Sequence, residues 1–199
     1  MPFPTPNPIL AWSLAAVLLF WVVGAYNRLM RLRADIKTAF SALETALTQQ
    51  VELVRKQLPA PEVTQPAPLE SDGSFWGGLH GAAAQCAASL ATARHRPLEP
   101  QRIEALSAAR DVLAMAWDRA AREDAHDLAG PRLPDTVLAR HTHLALQTDS
   151  AVALFNLAVS RYNDGIAQFP AVLLAWLFGF RPGLGIDEGA GAAVPQRGR

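Results

Sequence analysis

The fifty residues from Ile9 to Leu58 contain no proline, and no glycine after Gly24; nothing else in the chain limits the fold as strongly. The first part, ILAWSLAAVLLFWVVGAY over residues 9–26, carries no charge and one strongly polar side chain, Ser13. At about 1.5 Å per residue a helix of this length reaches roughly 27 Å, enough to cross the hydrocarbon core of a bilayer. The second part places Leu29, Leu32, Ile36, Phe40, Leu43, Leu47, Val51, Val54 and Leu58 at spacings of three and four. That stripe is one face of a helix that needs packing partners, and Arg31, Arg33, Asp35, Lys37, Glu44, Gln49, Gln50 and Lys56 make the solvated face between. Its period lies near 3.6 rather than the 3.5 of a strict heptad, which suits straight or slightly right-handed packing. One helix is expected to leave the membrane and become the first member of a soluble bundle.

The ends of the apolar run set its topology. Residues 1–8, MPFPTPNP, place proline at every second position and read as an extended N-terminus outside the membrane. Asn7 and Pro8 suit an N-cap and a first helical residue. No basic segment precedes the run and no small-x-small site closes it, so residues 9–26 read as an uncleaved anchor. Trp12 and Trp21 fall toward the two interfaces, with Tyr26 at the exit. Arg28, Arg31, Arg33 and Lys37 follow, while the N-terminal flank has no charged side chain. The positive-inside rule then predicts a single-pass protein of the cell (inner) membrane, N-terminus outside and bundle in the cytoplasm.

Aromatic content is only 8%, and no stretch alternates with period two for long, so the chain reads as all-α. Prolines at 59, 61, 66 and 68 interrupt it, and residues 59–73 form a break or linker. Three further helices are expected over 74–95, 100–124 and 135–169, closing an antiparallel four-helix bundle of long helices within residues 27–180. Phe75, Trp76, Leu79, Ala83, Cys86, Leu90 and Ala93 form the apolar side of the second helix. The third offers Ile103, Leu106, Ala109, Val112 or Leu113, Ala116, Trp117 and Ala120. The fourth carries Val137, His141, Leu144, Thr148, Val152, Phe155, Val159, Tyr162, Ile166 and Phe169. After Pro170 the run AVLLAWLFGF is too short to span a bilayer. It reads either as bundle core or as a membrane-interface segment carried by Phe169, Leu174, Trp176, Phe178 and Phe180. From Arg181 the composition turns to Gly, Ala, Pro and Arg, and residues 181–199 are expected to be a disordered tail.

Little here points to chemistry. Eighteen basic and eighteen acidic residues cancel, so no basic field for nucleic acid is evident. The single cysteine, Cys86, lies among alanines and reads as a small buried apolar side chain. His141 and His143 are two apart and point to different sides of a helix, whereas a shared metal ion needs a spacing of four. Ser150, His143 and Asp149 are close in sequence, but nothing places them in a strained turn or an oxyanion hole. The run G-L-G-I-D-E-G at 183–189 follows no strand and opens no helix, so it is no phosphate loop. No cofactor, metal or small-molecule substrate is implied.

Residues 25–54 resemble the opening of the LemA family, through Tyr26-Asn27, Leu32, Arg33, Ile36, Lys37, Ala39, Phe40, Leu43, Leu47 and Leu53-Val54. Residues 155–180 resemble its closing pattern: Phe155-Asn156, then Tyr162-Asn163 seven residues on, Ile166, Phe169-Pro170 and Phe178-Gly179-Phe180. Residues 59–135 match no part of the pattern, and Arg55-Lys56-Gln57-Leu58 stands where the family has a Pro-Asn-Leu-Val type segment. The resemblance implies a divergent member: a membrane-anchored antiparallel helical bundle with no catalytic site to carry over.

The polar residues that stand out are Asn27, Asn156 and Asn163, with Tyr26 and Tyr162 beside them. Asn156 and Asn163, seven apart, share a helix face. They are expected to fix the register of a seam or to form a polar interaction patch. The functional expectation is a non-enzymatic scaffold or membrane-organising protein whose partners are lipid and another protein or itself. The competing reading is an accessory or regulatory partner of an envelope enzyme such as a protease.

Overall fold

The computed structural model describes residues 8–58, 74–126, 133–169 and 171–187, and every regular element among them is a helix. In chain order these are α1 (Pro8–Gln57), α2 (Ser74–His95), α3 (Pro100–Ala125), α4 (Asp135–Ala167) and α5 (Ala171–Phe178). The first seven residues, the proline-rich break at 59–73 and residues 188–199, all assigned roles above, lie outside the described residues.

Helix α1 is one unbroken element of 50 residues, about 75 Å long. Its two parts meet different surroundings. Residues 12–24 are exposed throughout, whereas Leu29, Ile36, Phe40, Leu43, Leu47, Val51, Val54 and Leu58 are buried, with Leu32 partly so. Among the described residues α1 is the one candidate membrane-spanning helix, close to the N-terminus.

The buried stripe is covered by α4 along its length and by α2 on a second side, and α3 packs on α2. Leu29 and Leu32 of α1 face Gly165 of α4, while further along Phe40 meets Phe155 edge-on at 5.8 Å. Residue numbers thus rise along one helix as they fall along the other. Glu44 and Arg94 join α1 to α2 at 3.3 Å, and the Arg102 guanidinium donates to the Thr92 carbonyl across the turn between α2 and α3. At the other end of α3 the buried Asp124 carboxylate accepts the Leu133 backbone N–H at 2.9 Å, which anchors the chain as it enters α4.

Packing decides what spacing left open. Leu113 is buried and Val112 exposed, two adjacent apolar residues that suit the α3 stripe equally well in sequence. Helix α4 ends at Ala167, not Phe169, because Gln168 already has an extended backbone (φ −81°, ψ 141°) ahead of Pro170. Phe169 is consequently 70% exposed instead of closing the α4 stripe. Residues 181–187, expected to open a disordered tail, instead cross α3 and α4 with Gly185 and Ile186 buried.

Phe155 is fully buried at the α1–α4 seam, so Phe155→Ala should cost about 3–5 kcal/mol through lost burial and the cavity left behind. Equilibrium unfolding of the full chain, followed by helical circular dichroism, measures this; Val112→Ala should stay within about 0.5 kcal/mol of wild type.

Candidate functional site: an aromatic corner and an asparagine ladder

Two groups of the singled-out residues come together around the C-terminal half of α4. The first is the corner formed by α5. Gly179 adopts φ +68°, and the Phe180 N–H donates to the Ala175 carbonyl at 2.9 Å. This is a Schellman turn, in which a glycine beyond the helix end takes the left-handed conformation and the next N–H satisfies an orphan carbonyl. The turn explains the Phe-Gly-Phe sequence. It sets Phe178 5.8 Å from Tyr26 and Phe180 beneath the Arg33 guanidinium at 5.3 Å. One helical turn further toward the N-terminus, Trp21 meets Phe169 at 5.1 Å.

Helix α5 divides its residues between core and surface. Ala171, Leu174 and Ala175 are buried against α1 and α4. Leu174 is therefore a core residue and no part of an exposed segment. The exposed face consists of Val172, Leu173, Trp176, Leu177 and Phe178, with Trp176 85% exposed. Tyr162 is buried behind the corner; burial pushes its phenol pKa up, against a weaker opposite pull from Arg33.

The second group is a ladder. The Asn163 side-chain amide donates to the Gly183 carbonyl and accepts the Gly183 N–H, both at 2.9 Å. The Asn156 amide repeats the pattern on Ile186, donating at 3.0 Å and accepting at 2.8 Å. Each asparagine thus satisfies both main-chain groups of one residue, as a neighbouring β-strand would. The two lie seven residues apart, about 10.5 Å along α4, and residues three apart bridge that distance only when nearly fully extended. The segment 181–187 is therefore an extended strap running opposite to α4. Asn27, expected to join the other two asparagines, is exposed on α1, and the ladder is built without it.

Helix α3 supplies the far wall. The Ser107 hydroxyl donates to the Asp187 carboxylate at 2.9 Å and accepts the Asp187 N–H at 3.2 Å. Arg110 donates to the same carboxylate at 2.8 Å and to Asp149 of α4 at 3.3 Å, so one guanidinium links α3, α4 and the strap. A Cβ at Gly183 would lie 2.7 Å from Leu98 Cδ2 and 3.4 Å from Val159 Cγ1, so a larger residue there requires the Leu98 side chain to move. Sequence reasoning singled out Asn156 and Asn163 but missed Ser107, Arg110, Gly183, Ile186 and Asp187. The only local signal for the last three was one β-branched residue and one acid in a glycine run.

Further along the same α3–α4 side, His141 stacks flat on Trp117, with ring centres 3.7 Å apart and planes 7° from parallel. They line a cleft of about 300 Å³ with Gln50, Arg110, Asp118, Thr148 and Asp149. Burial lowers the His141 pKa to about 4, with Asp118 pulling weakly the other way. Cys86, buried in the core, has its thiol pushed up to about 11 by burial. Among the described residues no group of three or more His, Cys, Asp or Glu side chains is placed to hold a metal ion. Comparison of the chain with protein-family models, with characterised proteins and with solved structures finds no match.

Two outcomes follow from this geometry. Each ladder hydrogen bond contributes about 1 kcal/mol net, so removing a pair by Asn156→Ala or Asn163→Ala should accelerate amide exchange at Ile186 or Gly183 by roughly thirty-fold. Hydrogen exchange resolved to single residues measures it. His141 folds with a pKa below its unfolded value near 6.5, so its contribution to stability is complete above about pH 6.5 and declines as pH falls toward 4. The melting temperature should drop between pH 7.5 and pH 5, and His141→Gln should shrink that drop.

Proposed function

We propose that this chain is a membrane-anchored, non-enzymatic protein resembling the LemA family, acting as a scaffold or membrane-organising protein. Residues 9–26 form the anchor, with the N-terminus outside and the remainder in the cytoplasm. The cytoplasmic part of α1 with α2, α3 and α4 forms an antiparallel four-helix bundle, a reading supported by the opposed contact order of α1 and α4. The observation that carries the proposal is a continuity of exposed apolar surface. It runs from Trp12 to Val23 on α1 and passes through the Trp21–Phe169 and Tyr26–Phe178 contacts to Leu173, Trp176 and Leu177 on α5. A contiguous apolar surface of this kind calls for a covering phase. Full burial of each such side chain gains roughly 1.5–3 kcal/mol, so α5 lies in the bilayer interface beside the point where α1 emerges. Tryptophan and phenylalanine suit that depth, and Arg33 above Phe180 suits the headgroup layer.

The test uses the full chain in liposomes with Cys86→Ser and a spin label on Trp176→Cys. Collision with oxygen should dominate over collision with a water-soluble nickel chelate, at interfacial depth. A label that behaves as though in bulk water removes α5 from the membrane. Orientation is read separately: in intact cells a membrane-impermeant thiol probe should label Thr5→Cys and leave Glu104→Cys untouched until lysis.

A further inference from the structure

The formal charge of the whole chain is zero, yet its cations are not evenly spread. A cleft of about 910 Å³ opens between the first turns of α1 beyond the anchor, the turn joining α2 to α3, and the start of the strap. Arg33 and Lys37 line it from α1, Arg96 from the turn and Arg181 from the strap, while Glu99 is its one carboxylate. Glu99 is already matched: the Arg102 guanidinium approaches its carboxylate at 2.7 Å, with Arg96 at 3.9 Å. Among the described residues no carboxylate forms an ion pair with Arg33, Lys37 or Arg181, and Arg33 rests on the Phe180 ring instead. Four cations drawn from three elements repel one another across the bare cleft, and an anion bound among them relieves that repulsion. The start of α3 opens onto the same space at Pro100 and Gln101 with no side chain capping it, so the positive end of that helix adds to the field. The strap brings the fourth cation: Arg181 stands two residues ahead of Gly183, whose main chain Asn163 holds.

We propose that this cleft binds the headgroup of an anionic lipid that carries two phosphates. Depth argues for a lipid. Arg33 and Lys37 lie about 10 and 16 Å along α1 from Tyr26, where the anchor ends. Helical side chains tilt toward the N-terminus of their helix, which here is toward the bilayer, and long cationic side chains extend further that way. Phe180, directly beneath Arg33, belongs to the aromatic corner that marks the interface. The inference rests on the membrane reading above, since only a bilayer around residues 9–26 puts headgroups at this level. The cation count argues for two phosphates. A single phosphodiester balances one of the four cations, whereas two linked phosphates can meet the α1 wall and the wall made by Arg96 and Arg181 together. Basic pockets beside a membrane helix on its cytoplasmic side suit such headgroups.

The experiment takes the full chain in neutral-detergent micelles and counts retained lipid by native mass spectrometry. Diphosphatidylglycerol should be retained at a concentration about tenfold below phosphatidylglycerol supplied at equal charge. Arg96→Gln with Arg181→Gln, both exposed, should weaken diphosphatidylglycerol retention about tenfold. Arg119→Gln with Arg122→Gln removes the same charge from exposed positions near the other end of α3 and should change retention less than about twofold. Circular dichroism checks that both variants keep their helices. Equal losses from the two pairs mean diffuse attraction without a site and overturn the proposal. Undiminished retention in the cleft variant overturns it too, as does equal retention of the two lipids. Inorganic pyrophosphate offers the same chemistry without acyl chains: if it displaces the lipid at matched concentration, the cleft serves a soluble phosphate compound and the lipid assignment fails. None of these results moves the Trp176 label in liposomes, and a label in bulk water leaves the micelle titration as it stands, so the two readings fail separately.

Discussion

The apolar seam between α1 and α4 is the interaction on which everything else here depends. A helix as long as α1 is not held straight by its own hydrogen bonds, since most helical stability in proteins comes from the face that is buried. From Leu29 to Leu58 that face is covered by α4 and α2, and ahead of Leu29 it is largely exposed, touched by Phe169 and Phe178 at Trp21 and Tyr26. The change at Leu29 marks where one kind of surroundings ends and another begins. Helix α4 reaches the same level from the opposite direction, and the break after Ala167 lets α5 turn along α1 at that boundary. The aromatic corner and the strap are both consequences of where α4 stops.

The helices were largely legible in the sequence because each announces itself several times over. Eight of the nine α1 stripe positions are buried, and the ninth, Leu32, is partly so. The Ser74 start and His95 end of α2 coincide with the expected range, since proline clusters flank it. Where one cue stood alone, reading failed. Val112 and Leu113 differ only in the direction each takes from α3, which spacing to neighbours three and four away cannot separate. Leu174 was grouped with Trp176 and Phe178 because an apolar run all round carries no periodicity to say which side is covered.

The strap was illegible for a different reason. Periodicity needs several apolar residues in one element, and residues 181–187 hold two, Leu184 and Ile186, among glycines and a proline. Their order is imposed from 20 to 30 residues upstream by Asn163 and Asn156, and from about 80 residues upstream by Ser107. A composition that predicts disorder says only that a segment cannot order itself. It does not say that the segment has no template elsewhere in the chain.

The ladder works as a vernier between two scales. Seven helical residues and three extended ones cover nearly the same distance, so the rungs at Asn163–Gly183 and Asn156–Ile186 fall in register with each other. Inserting or deleting one residue between the two glycine-run anchors would shift the strap by about 3.3 Å, a full strand residue, while the same change in α4 would rotate one asparagine by about 100° off the face. Substitution and length are therefore under unequal constraint. Leu184, half-buried between the rungs, is less constrained in identity than the buried Gly185, but the number of residues there is locked to the number between two asparagines in another element. Drift in either count has to be matched by the other, and this couples two stretches of the gene that share no sequence likeness.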